Sequence, residues 1–421
     1  MASVLRFGAS KLLARNSLAV LCKPTSGTNG AVIQAAFISG KALRVTDNTR
    51  PPPYPYETKR FTLFDAIFEN TTHRFDENSK IIVVEGPIAS GKTKFAKALA
   101  EDLDMIYLPA VTMDAEYVNE YGYDCRQLDP ILPEACKSYD VKNFCENPHH
   151  ENCANYQILM YKHRFSQYVD ALAHLFSTGQ GIIMERCVYS DHIFLETMYN
   201  AGYISKAARQ TYYDIRTATQ GELLLPHLCI YLDVPADKIQ KRGIPYEVNS
   251  KVFTMNYLSS IEHMYKQQYL KELSQYANIL VYDWTDEGDV EVVIEDIERL
   301  SFDRTSKDDM KFRDWEFWNE SHVNQTRREY ADNKLRLLTL FDIADCDAPE
   351  LHYNGEDHQK LLEAWQNVST CFKMATLFTG SWKQIYERLA RLQIKGFRLG
   401  RELWRIHVTE IFMDRSKMIT C

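Results

Sequence analysis

Gly86-Pro87-Ile88-Ala89-Ser90-Gly91-Lys92-Thr93 follows the apolar run Ile81-Ile82-Val83-Val84 after a single residue, Glu85. The octet is a complete G-x-x-x-x-G-K-[ST] phosphate loop, and its setting matters as much as its letters. The β-branched run reads as a buried parallel strand, the glycines let backbone N–H groups turn inward, and Thr93-Lys94-Phe95-Ala96-Lys97-Ala98-Leu99 continues as a helix. Inward amides and the positive end of that helix together make an anion cradle. Gly86, Ser90 and Gly91 shape it, Lys92 reaches the terminal phosphates, and the Thr93 hydroxyl ligates Mg²⁺.

Outward from the loop, strand patterns recur at Met105–Leu108, Gly181–Met184, Leu228–Leu232 and Ile279–Val281. Helical stretches such as Ile158–Phe176 and Met255–Ala277 separate them. This alternation predicts an α/β fold, a parallel sheet with helices on both faces, spanning residues 76–302. Its ligand belongs at the carboxyl ends of the strands, where the phosphate loop lies. Before it, residues 41–75 contain Pro51-Pro52-Pro53-Tyr54-Pro55-Tyr56, an extended lead-in. After it, residues 303–421 lose strand signals and show helical periodicity through Leu361, Leu362, Trp365, Val368 and Phe372, then Ile385, Leu389 and Leu392. Trp315, Trp318, Trp365, Trp382 and Trp404 fall in this extension, to be shared between core and interface.

The 421 residues are 45% hydrophobic with a formal net charge of −8, which fits a globular chain and gives no basic footprint for nucleic acid. No apolar run is long enough to cross a bilayer. The first 40 residues differ in kind: Arg6, Lys11, Arg15 and Lys23 occur with Ser, Ala and Leu, and no acidic residue precedes Asp47. That composition is expected of a mitochondrial transit peptide, since a secretory signal needs an unbroken apolar core. Among ten cysteines, Cys125, Cys136, Cys145 and Cys153 cluster near His149 and His150 at spacings that fit no C-x-x-C zinc pattern. Free thiols are the default in a reducing matrix, with a local disulfide or a metal as alternatives.

Glu185-Arg186 ends the strand Gly181–Met184. A carboxylate there can hold Mg²⁺ or take a proton, and the arginine can clamp phosphate. The string continues Cys187-Val188-Tyr189-Ser190-Asp191, and ERCVYSD resembles the E-R-S-[IV]-Y-S-[AD] string of the deoxyribonucleoside kinases. Tyr156-Gln157 stands where those kinases carry a Phe-Gln pair whose amide reads the base edge. Ile230-Tyr231-Leu232 followed by Lys241-Arg242 stands where they have a strand and a basic lid, and Tyr257-Leu258 to Tyr269-Leu270 resembles their next helix. The resemblance covers about residues 80 to 300 and implies a P-loop nucleoside-kinase-like fold binding a purine nucleotide or a deoxynucleotide, with Mg²⁺ at Thr93 and Glu185.

The departures point away from catalysis. Where those kinases end a strand in Glu-Pro-Val, with the Glu taking the proton from the sugar hydroxyl, this chain has Leu108-Pro109-Ala110-Val111. A positioned general base is worth about 10² to 10⁴ in rate. Asp114 and Glu116 are candidate substitutes. Gln240-Lys241-Arg242-Gly243-Ile244-Pro245 is also a thin lid, poor in the arginines that neutralise a transferred phosphoryl group. With its basic leader and long tail, the chain resembles the kinase-like accessory subunits of mitochondrial respiratory complex I, NADH:ubiquinone oxidoreductase. That resemblance implies a non-catalytic role in assembly or stability, other subunits as partners, and a peripheral place on the matrix side of the inner membrane. An active mitochondrial deoxyribonucleoside kinase is the alternative. FAD is ascribed to the subunit family, but no G-x-G-x-x-G fingerprint occurs here and a phosphate loop is the wrong cradle for a dinucleotide.

Overall fold

The computed structural model describes residues 37–41, 51–119, 122–242, 251–304, 308–343 and 347–368. Residues 1–36, the lid continuation at 243–250 and the tail beyond 368, with Trp382, Ile385 and Trp404, lie outside them. Five strands, β1 (Ile81–Glu85), β2 (Ile106–Leu108), β3 (Ile182–Glu185), β4 (Leu228–Asp233) and β5 (Asn278–Asp283), form one sheet in the order β2-β3-β1-β4-β5. All four pairings are parallel, with Val84 opposite Glu185 and Glu85 opposite Tyr231. The sheet expected from the alternating pattern is present, each strand within two residues of its sequence assignment.

Every residue of β1 is buried because both faces are covered. Ile81 and Val83 enter one apolar layer with Tyr161, Phe165, Tyr168 and Leu172 of the long helix Asn152–Thr178. Ile82 and Val84 enter the opposite layer with Phe95, Leu99 and Leu103 of helix Lys92–Leu103 and with Ile294 and Ile297 of helix Val290–Glu298. We call these helices, in chain order, α1 (Lys92–Leu103), α2 (Asn152–Thr178) and α3 (Val290–Glu298). The sheet thus places the carboxyl ends of β1, β3 and β4 together and carries α1 away from them.

Two stretches differ from the sequence reading. The segment Met255–Ala277 is an α-helix only to Met264, then a π turn at Tyr265–Tyr269, then helix again at Leu270–Leu273. The wide turn aims the Tyr265 hydroxyl at Glu85 Oε2, 3.0 Å away, and sets the Tyr269 hydroxyl 3.6 Å from Cys187 Sγ. Such π-bulges collect at functional sites. The lead-in is likewise not extended throughout. Thr62 and Asp65 close a capping box, each side chain taking the other's backbone N–H, and start a helix at Leu63–Phe68.

The lead-in and the extension meet. Arg327, on helix Glu320–Asp332, is fully buried with its guanidinium 3.9 Å from the Phe61 ring centroid and 4.4 Å from that of Tyr54. Glu320 accepts from the backbone N–H and hydroxyl groups around Thr71 and Thr72. Trp315 is packed inward, donating to Leu225 O at 2.8 Å, whereas Trp318 is 79% exposed. Residues 355–368 are helical and belong to a second compact unit.

Candidate nucleotide site

The turn after β1 has no room for a side chain at Gly86. Gly86 takes φ +150°, and a Cβ there would stand 2.8 Å from Leu232 O. Ala89 is held at φ +56°, and Gly91, at φ +86°, is the N-cap of α1. Left-handed backbone at a non-glycine residue is uncommon and gathers where a site imposes it. Lys92 is the first residue of α1 and only 7% exposed, and its ammonium donates to Pro87 O and, at 3.1 Å, to Ser90 Oγ. Burial pushes the Lys92 pKa well below its ordinary value and Arg186 adds to that, while Glu85 and Glu185 pull it back. A buried cation at the amino end of a helix is matched by a phosphate. These residues fit the nucleotide they are expected to hold.

At the end of β3, Glu185 is 5% exposed. It accepts from Thr93 Oγ1 at 3.1 Å on Oε2 and from the Tyr107 hydroxyl on Oε1. Thr93 and Glu185, the two expected Mg²⁺ ligands, are therefore adjacent. Tyr107 comes from β2, one residue before Leu108, and burial followed by the Glu185 charge holds its phenol above the usual range. Arg186 adopts φ +60° and stacks its guanidinium 4.6 Å from the Phe194 ring centroid. Leu108 packs on the apolar layer of α2 and carries no acid function. Asp114 is paired with Arg126 at 2.6 Å and Glu116 with His163 at 2.9 Å. Both candidate substitute bases are thus committed to neighbours.

On the α2 side, Gln157 is buried and its Nε2 donates to Asp191 Oδ2 at 2.8 Å. The same oxygen accepts from Tyr212 at 2.7 Å, and Arg164 pairs with Asp191 Oδ1. Burial raises the Asp191 pKa, against the pull of Arg164, Tyr212 and Gln157. Tyr156 is 8% exposed and stacks on Phe144, so it lies in the wall of this region. Arg164 went unread in the sequence although it stands seven residues after Gln157, on the same helical face, which is the signal that finds it.

The two lid residues part company. Arg242 donates to Trp284 O at 2.8 Å and to Thr285 O, and reaches within 3.5 Å of Ala89 O in the phosphate loop. Lys241 is 73% exposed and faces Asp237 at 3.7 Å. Of the clustered cysteines, Cys136, Cys145 and Cys153 are buried and Cys125 is half-buried.

Comparison with known proteins agrees with this geometry. A family model for deoxynucleoside kinase matches residues 82–316. The mouse mitochondrial protein "NADH dehydrogenase [ubiquinone] 1 alpha subcomplex subunit 10" is 38% identical over 265 residues, 61% of this chain and 72% of that one. Its bovine counterpart is 38% identical over 281 residues, covering 65% and 77%. A deoxyguanosine kinase from Dictyostelium discoideum is 26% identical over 281 residues, 65% of this chain and 87% of that one. With the phosphate loop, the Glu185-Arg186 strand end and the Gln157–Asp191 pair in place, the chain belongs to the deoxynucleoside kinase family, in the branch of the complex I alpha subcomplex subunit 10 proteins.

Proposed function

We propose that this chain works as a non-catalytic accessory subunit of mitochondrial complex I, the NADH dehydrogenase that passes electrons from NADH to ubiquinone. The kinase-like core serves assembly or stability and holds a purine nucleotide or a deoxynucleotide. The observation that carries the reading is the strand end at Leu108. Leu108-Pro109-Ala110-Val111 has no carboxylate where the kinases carry Glu-Pro-Val, while the phosphate cradle around Lys92 keeps its shape. Identity of 38% to the mouse subunit over 72% of its length supports the same partners, the other subunits of the complex. Phe64, Ile67 and Phe68, each more than 70% exposed on one helix of the lead-in, supply apolar surface suited to such partners.

Bound nucleotide would bring phosphate charge to Lys92, with Mg²⁺ at Thr93 and Glu185. The chain's part is to hold it: amides at Gly86–Lys92, Arg242 beside Ala89, and Gln157 with Asp191 and Arg164 toward the base. A ligand that binds only the folded state adds stability by mass action. The place is the matrix, peripheral to the inner membrane; among the described residues no helix is long and apolar enough to cross it. A flavin has no part in this reading.

The intact Thr93–Glu185 pair and the deoxyguanosine kinase relative favour an active mitochondrial kinase as the second reading. Native electrophoresis of detergent-solubilised mitochondria, probed for this chain, separates them. Migration in a megadalton assembly is expected, and a free matrix monomer would sink the subunit reading. Lys92→Ala should weaken nucleotide retention and lower the melting temperature; if neither changes and the gently isolated chain carries no nucleotide, the cradle is a relic.

A further inference from the structure

A short segment far upstream of the phosphate loop is built into the domain. Ile38 is 1% exposed and sits in the apolar layer of α1 and α3. The next three backbone amides are each taken by a different side chain: Ser39 N–H donates to Asn78 Oδ1 at 2.8 Å, Gly40 N–H to Glu298 Oε1 at 2.8 Å, and Lys41 N–H to Asp102 Oδ2 at 3.3 Å. Asn78 Nδ2 completes the pairing by donating to Ser39 O at 2.8 Å and to Leu103 O, at the end of α1, at 3.0 Å. Gly40 fits a slot. A Cβ on it would meet Glu298 Oε1 at 2.7 Å, and Asp102 Oδ2 and Ile294 Cγ2 at 2.9 Å.

A segment packed and hydrogen-bonded in this way is part of the folded domain. Loss of this segment would strip Ile38 from an apolar layer and leave the Asn78 amide, 4% exposed, short of two partners, each a source of instability. The transit-peptide boundary expected at residue 40 places all of Ile38, Ser39 and Gly40 in the discarded piece.

We propose that the mature protein retains Ile38, so that residues 38–41 are an N-terminal anchor of the kinase-like domain rather than the end of its leader. On the mitochondrial reading given above, on which this proposal rests, a processing endopeptidase hydrolyses a peptide bond on the amino side of Ile38. One water is consumed, the leader departs with a new carboxylate, and the mature chain keeps a new α-amino group. The anchor holds the far end of α1, the helix whose other end is the phosphate loop.

Two measurements test this. Mass spectrometry of the amino-terminal peptide of the chain isolated from mitochondria should find a start at or before Ile38; a start at Ser39 or beyond overturns the proposal. In the full recombinant chain, Ile38→Ala should lower the melting temperature by roughly 5 °C, whereas Phe37→Ala, at a side chain 56% exposed, should leave it unchanged. Equal melting of the Ile38→Ala variant and the parent also overturns the anchor. A chain found outside mitochondria defeats the subunit reading instead, and the recombinant melts still decide the anchor.

Discussion

The side-chain amide of Gln157 donates to Asp191 Oδ2 across 2.8 Å, joining the second turn of α2 to the segment that follows β3. With Arg164 on the other oxygen, this is a buried ion pair braced by neutral donors. Such a pair is weak evidence of net stability but costly to halve, because the partner left behind is an uncompensated buried charge. Asp191→Asn is therefore expected to destabilise the chain by about 3 kcal/mol or more. Adding Arg164→Met should recover part of that loss. Denaturant melts of the two variants check it.

Phosphoryl transfer should be almost absent. Leu108 supplies no proton acceptor and Asp114 and Glu116 are held by Arg126 and His163. Loss of a positioned base alone removes about 10² to 10⁴ in rate. Purified chain with ATP and deoxynucleosides should turn over at least a hundredfold below the roughly 1 per second of ordinary kinases. A coupled assay approaching that rate would mean another carboxylate has taken the role.

Lys80 offers a pH test remote from the phosphate loop. It is 1% exposed just before β1, and burial pushes its pKa down to about 8, against the charges of Asp76 and Asp303. The unfolded chain then binds the extra proton between about pH 8 and about pH 10.4, so stability rises with pH across that window. Below it the penalty is complete, on the order of 3 kcal/mol. Lys80→Met should stabilise the chain at pH 7, with a gain that fades toward pH 10. Urea melts at pH 7, 9 and 10 read this directly; a gain that does not change with pH would refute it.

Gly86→Ala should do more harm than its size suggests. The new methyl meets Leu232 O at 2.8 Å on a backbone at φ +150°, so β1, β4 or the loop has to shift. A loss of about 1–3 kcal/mol is expected from the strained backbone alone. Nucleotide retained through gel filtration, measured after acid release, should fall below the parent level.

The strands were legible because β1, β3 and β4 are nearly unbroken apolar runs, the mark of a sheet covered on both faces. The phosphate loop was legible because its letters bracket that run and a helix. Tyr107 was not, since nothing in Ile106-Tyr107-Leu108 says that the middle residue of an edge strand will lean over Glu185. That contact follows from the register of β2 on β3, a property of distant chain segments. The π turn was missed for a similar reason: Tyr265 and Tyr269 fit an α-helical stripe equally well, and only their partners Glu85 and Cys187 select the wider turn. The capping box at Thr62 and Asp65 could have been read, and the prolines before it drew attention away.

The strand order also governs how the molecule comes into being. β1 lies between β3 and β4, which begin at Ile182 and Leu228, about a hundred and about a hundred and fifty residues later in the chain. A chain emerging amino end first, from a ribosome or a translocation pore, therefore presents Ile81-Ile82-Val83-Val84 with no sheet neighbour until β3 follows about a hundred residues later, and with one edge still open until β4. Parallel pairing over such separations is slow, and an apolar strand waiting with open edges is prone to pair with the wrong chain. The feature that makes the finished strand the most sheltered part of the sheet leaves the newborn one open on an edge until β4 arrives.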